Sequence, residues 1–153
     1  MSTSPLTRAD LELPGDIRPS GQSMNFRMAN SVTINRGDLV IILNPGTTGT
    51  ASPGAATADS ICAGVALESK TSGTGGQDFI EVDIGGCLYV ASHTANLNIN
   101  GAATGQVAVV AGGRSVAASG DGADCGRISA VLVGGAGTSR VIVQLYPMSL
   151  SIA

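Results

Sequence analysis

A chain of 153 residues is about one domain long and can bury roughly two thirds of its unfolded surface. Aromatics are only 3 % of a 43 % hydrophobic total, so any core is built of Val, Ile, Leu and Ala; 22 glycines and 12 % charge exclude both a helical bundle and a charged disordered chain. A net charge of −3 excludes binding by phosphate neutralisation, and no apolar run approaches the ~18 residues that cross a bilayer, so neither nucleic acid nor membrane is an expected partner.

Residues 1–31 carry no sustained period. Thr7-Arg8-Ala9-Asp10 resembles a helix capping box, but Pro14 stops such a helix within two turns. The segment therefore reads as an extended N-terminal arm in front of a β domain at 32–153. Its large apolar residues, Leu6, Leu11, Leu13, Ile17, Phe26 and Met28, are too many for a solvated tail and are candidate contacts to some other surface. The opening Met1–Leu6 lacks the basic and apolar regions of a signal peptide, so assembly in a cytoplasm is expected.

From Val32 the texture is that of strands. Val32-Thr33-Ile34 leads through the turn Asn35-Arg36-Gly37-Asp38 to Leu39-Val40-Ile41-Ile42-Leu43, an unbroken apolar run covered on both sides. Thr47–Ser60 has hardly any large side chain and reads as a long surface loop. Ile61–Leu67 is a short strand. In Gln77–Val90, Ile80, Val82, Ile84, Leu88 and Val90 share one face, while Glu81, Asp83, Cys87 and Tyr89 share the other. Gly85-Gly86 keeps that parity across a bend. Gln106–Val110 and Ser115–Ala117 form a hairpin about Gly112-Gly113, and Ile128–Val133 with Val141–Tyr146 form a closing one. The order beginning at Cys62 is echoed from Cys125, as two similar hairpins. The fold expected is all-β: a compact β-barrel or β-sandwich-like domain with an extended N-terminal arm.

Chemistry is sparse. Cys62, Cys87 and Cys125 have no C-x-x-C spacing and read as small buried thiols. His93 is the only histidine, and adjacent Ser92 and Thr94 face away from it on a strand. Glu81 and Asp83 share a face, as a glycosidase acid pair does, but aromatic sugar platforms are missing; the pair reads as the solvent face of a strand and a candidate protomer contact. Asp121 and Asp124 lack the spacing of a calcium loop, and Arg36-Gly37-Asp38 reads as turn chemistry. No catalytic residue, metal site or cofactor is expected.

The succession Arg36-Gly37-Asp38-Leu39-Val40, Cys62-Ala63-Gly64-Val65-Ala66-Leu67, Ile80–Val90, Gly126–Val133 and Val141–Leu145 resembles the bacteriophage head-decoration proteins, also called capsid cement or auxiliary proteins. The likeness covers roughly residues 32–146; the loop at Thr47–Ser60 and the segment before Val32 depart from that pattern. The resemblance implies a non-enzymatic homotrimer on the outer surface of a virion. There it would bind the major capsid protein and hold capsomers together. Other classes remain: another phage structural β module, such as a head fibre or tail component, or a small ligand-binding β-barrel.

Overall fold

The computed structural model describes residues 11–97, 102–134 and 139–148. Every regular element among them is a strand, so the protein is all-β as its composition requires. One sheet contains β2 (Ser23–Arg27), β4 (Leu39–Leu43), β5 (Thr50–Pro53), β6 (Ser60–Ala66) and β8 (Phe79–Asp83), in the order β2-β8-β6-β4-β5. A parallel bridge from Met28 to Ala51 brings its two edges together. The other contains β1 (Ile17–Arg18), β9 (Leu88–His93), β10 (Val107–Gly112), β11 (Ser115–Ala117), β12 (Asp124–Val133) and β13 (Arg140–Leu145). Its order is β1-β9-β11-β10-β12-β13, and β13 pairs back onto β9, closing the ring. A short ribbon of β3 (Thr33–Ile34) and β7 (Lys70–Thr71) stands apart.

The two sheets repeat one topology. Strands β2, β4, β5, β6 and β8 correspond in order to β9, β10, β11, β12 and β13. The register agrees in detail. Val40 pairs with Gly64 just before a bulge, and Ala108 pairs with Gly126 just before another. The parallel Met28–Ala51 bridge is matched by the parallel His93–Val116 pair. Gly64 and Gly126 are glycine for the same reason: a Cβ there would strike the carbonyl oxygen of Asp83 or of Gln144 on the adjacent strand. The echo between Cys62 and Cys125 is therefore part of a structural duplication of the whole five-strand unit.

Two cores result. Met28, Ile34, Val40, Ile42, Ala51, Ile80 and Val82 fill the first, with Phe26 and Ile84 packed at its margin. The second joins the other sheet to the back of the first: Leu39, Ile41, Cys62 and Val65 pack with Tyr89, Ala91, Val110, Val116, Val141 and Val143. The run Leu39–Leu43 is apolar throughout because alternate residues serve different cores, as a strand covered on both faces requires.

Three expectations are corrected. Residues 11–31 are extended but do not stand off from the β domain. Ile17 pairs with Tyr89, Phe26 pairs with Ile80, and Leu11 and Met28 are buried. These partners lie too far along the chain to leave a local pattern. Next, Gly85-Gly86 does not carry one parity through: with Gly86 at φ +87° the chain leaves the first sheet and enters the second. Tyr89 consequently turns into the second core, beside the buried Cys87, instead of sharing a face with Glu81. Last, Thr47–Ser60 contains a strand, β5, whose Ala51 is fully buried. Small residues are needed there because the chain runs close to its neighbour; a Cβ on Gly54 would lie 2.6 Å from the Gly112 carbonyl oxygen.

Candidate functional site

The residues singled out from the sequence do not gather at one place. Leu6 lies outside the described residues. Leu11 and Met28 are buried, Ile17 and Phe26 are half-buried members of sheets, and only Leu13 projects, at 60 % exposure. Asp83 lies not on a solvent face but buried, and its carboxylate accepts hydrogen bonds from Ser20 N (2.8 Å), Ser20 Oγ (2.7 Å) and Gly85 N (3.2 Å). It pins the bend that leads into β2. Glu81 is half-buried and accepts from Ser23 Oγ at 2.8 Å, while Glu68 Oε2 accepts from Glu81 N at 2.9 Å. The two carboxylates thus bond different groups: Asp83 holds the bend at Ser20, and Glu81 takes the Ser23 hydroxyl across the β2–β8 pair.

His93 is buried on β9. Its Nδ1 accepts from Ala95 N at 3.0 Å, and its Nε2 has no hydrogen-bond partner among the described residues. Burial holds its pKa below the ordinary histidine value, so the ring is neutral and inward. Cys62, Cys87 and Cys125 are buried thiols, as expected. Burial, with the charge of Asp83 adding to it, pushes the Cys87 thiol up to about 12. A hydrogen bond with Cys62, followed by burial, raises Cys125. Neither is a nucleophile at neutral pH. Among the described residues no three His, Cys, Asp or Glu side chains are placed to hold a metal ion.

The most developed polar constellation ties three parts of the chain together. Asp38 ends the Asn35–Asp38 turn and is buried; its Oδ2 accepts from Asn35 N at 2.8 Å and its Oδ1 from Arg114 Nε at 3.1 Å. Arg114, on the β10–β11 turn, also donates to Arg36 O (2.7 Å) and to Pro14 O (3.3 Å). Tyr89, fully buried, donates its hydroxyl to Gly37 O at 2.6 Å. The Arg36-Gly37-Asp38 tripeptide is therefore consumed by internal bonds, in keeping with its reading as turn chemistry. Sequence reasoning passed over Arg114 and Tyr89, since their partners lie 76 and 52 residues away.

The same constellation shapes the surface. Glu12 N and Leu13 N both donate to Asp16 Oδ2, at 3.0 and 2.8 Å, and Asp16 N donates to Leu13 O at 2.9 Å. Arg140 Nη1 donates to Glu12 O at 2.6 Å, on one side of Leu13, and Arg114 holds Pro14 O on the other. An apolar side chain is thus held out in water on a backbone fixed from both sides. Met24, at 48 %, and Phe79, at 44 %, are the other exposed large apolar residues described. An open groove of about 490 Å³ lies beside Arg27 and Met28, facing Leu43, Asn44, Thr48 and Thr50, and among the described residues Arg27 is the sole ionisable one lining it. What these features offer chemically is contact by shape.

Compared with known proteins, the chain matches no family model, no curated protein and no solved structure.

Proposed function

We propose that this chain is a non-enzymatic capsid decoration protein of a bacteriophage, seated on the outer surface of the head and stabilising contacts between capsomers. The observation that carries the reading is Leu13: a large apolar residue, 60 % exposed, on a turn fixed by Asp16, Arg114 and Arg140. A contact residue held rigid before binding loses little ordering entropy when it docks. Burying one leucine side chain contributes about 1.5–3 kcal/mol, or roughly 10- to 100-fold in affinity for each copy. The resemblance in element order supplies the partner class, the major capsid protein, and the homotrimer as the working unit. With three copies attached at once, a weak contact is multiplied by avidity. By sequence alone, Leu6 is a further candidate for the same contact. Assembly would take place in the host cytoplasm, with the mature protein on the virion.

The test uses the full chain and purified expanded heads lacking it. Leu13→Asp alters an exposed side chain and leaves the cores untouched. Expected is a fall of at least 10-fold in apparent affinity for heads, read by co-sedimentation, with an unchanged circular dichroism spectrum. Wild-type protein that never sediments with heads would sink the reading. Equal occupancy by wild type and Leu13→Asp would remove Leu13 as the contact.

A further inference from the structure

One buried position differs in kind between the two repeats. Met28 and His93 hold the same place: each sits opposite the parallel partner in its own sheet, Ala51 for one and Val116 for the other. The backbone bonds agree as well. Met28 N donates to Asp78 O at 2.8 Å, and His93 N donates to Ser139 O at 2.9 Å. Ala29 N donates to Ala51 O at 2.8 Å, and Thr94 N donates to Val116 O at 3.0 Å. Both side chains are buried, at 1 % and 3 % exposure. The fold therefore accepts an apolar side chain here, and packing alone does not call for an imidazole.

The ring sits in a setting that suits only its neutral form. Nδ1 accepts from Ala95 N at 3.0 Å, which places the ring proton on Nε2. Nε2 meets no acceptor among the described residues. A second proton can enter only at Nδ1, where it would face the Ala95 N–H, donor against donor. The cation so formed would also lack a counter-charge. The charged residues of β12, β13 and the turn before β11 are engaged elsewhere or exposed: Arg114 binds Asp38, Arg127 donates to Tyr146 Oη, Arg140 donates to Glu12 O, and Asp124 faces water. Tyr89 and Cys125, in the same sheet, stay uncharged at neutral pH. β10 and the segment Thr94–Leu97 carry no ionisable side chain. Burial alone depresses the pKa of His93.

We propose that His93 is an acid-operated latch: protonation of Nδ1 breaks its bond to Ala95 and frees the end of β9 from the start of β13, while the first repeat, with Met28 in that place, stays closed. Two further bonds depend on the ring remaining inside. Leu97 N donates to Ser139 Oγ at 3.1 Å and His93 N to Ser139 O at 2.9 Å, and together they fasten the turn after β9 to the residue that leads into β13. Once the ring swings out to water, that turn loses its inner anchor and both bonds open. A ring released to water titrates near the ordinary 6.5, and the closed ring titrates lower. Below 6.5, each further pH unit therefore favours the open form by up to about tenfold, until the closed ring's own pKa is reached. The latch is a property of this chain alone and is tested without capsids.

The experiment is amide hydrogen exchange, read by NMR on the purified full chain near pH 7 and near pH 5, with the intrinsic rate at each pH divided out. Wild type is set beside His93→Met, which copies the first repeat. Expected in the wild type is a loss of protection at Ala95 and Leu97 of about threefold or more, relative to Met28 and Ala29. Expected in His93→Met is an unchanged ratio. A constant ratio in the wild type overturns the proposal, and so does an equal fall in the variant. Equal loss at Met28 and Ala29 also overturns it, because the whole protein is then unfolding. The wild-type ring supplies a readout that needs no variant: its Cε1 shift should titrate with the same midpoint as the loss at Ala95. A ring that titrates while Ala95 stays protected sinks the latch.

Discussion

Arg114 Nε lies 3.1 Å from Asp38 Oδ1, and this pair joins the two repeats at the point where the N-terminal segment crosses them. Asp38 is nearly buried while Arg114 is 44 % exposed, so the pair is not a dry salt bridge. Its weight comes from geometry: one guanidinium satisfies a carboxylate and the carbonyls of Arg36 and Pro14 together.

Arg114→Ala is therefore expected to destabilise the protein by about 1–3 kcal/mol, since a largely buried carboxylate loses a donor. For a domain of this size each kcal/mol lowers the melting temperature by roughly 2–4 °C. Limited proteolysis should cleave between Leu11 and Ile17 faster than in the wild type. Arg114→Lys keeps the charge but not the fork, and should fall between the two.

Gly64→Ala and Gly126→Ala should be the most damaging of the small substitutions. Each added methyl meets a neighbouring strand's backbone, which cannot swing aside as a side chain can. A loss of about 3 kcal/mol or failure to fold is expected for both, read by urea unfolding. Gly21→Ala, where nothing lies within 4 Å of the added carbon, separates crowding from the strain of its positive φ.

The protein should lose stability in alkali. Burial first, and the charge of Asp83 after it, moves Cys87 from 9.0 to about 12, and burial likewise raises Tyr89. Above pH 9 the unfolded chain releases protons that the folded chain retains, so the folded state binds more protons and stability falls as pH rises. The loss runs from pH 9 upward through 12 for Cys87. Cys87→Ala should flatten this part of the melting-temperature profile. His93 acts at the other end: burial lowers its pKa, so stability is complete above 6.5 and falls as pH drops below that value.

Truncation should separate the start of the chain from the body. Removing residues 1–10 leaves every described strand intact and should preserve the melting temperature. Removing 1–31 strips β1, β2, Leu11 and Met28 from their sheets and cores, and should unfold the protein or expose it to dye binding. A 32–153 fragment that melts as sharply as the full chain would refute the described packing of the N-terminal strands.

Strands that carry their own pattern were legible without coordinates. Leu39–Leu43 announces a doubly covered strand, and β11 between its glycine turn and the loop after it could be placed almost to the residue. β1 and β2 could not. Ile17 finds Tyr89 and Met28 finds Ala51, pairings between segments whose own sequences lack alternation. Composition, likewise, determined the fold class, because so few aromatics and helix formers leave only packed aliphatic strands. What the tertiary structure decided is which side of each strand faces inward. Gly86 hands the chain from one sheet to the other and resets the parity, so Tyr89 is buried. Asp83 is buried because the turn at Ser20 closes over it. A local pattern records only what a residue's near neighbours require; burial is set by contacts that folding brings from far along the chain.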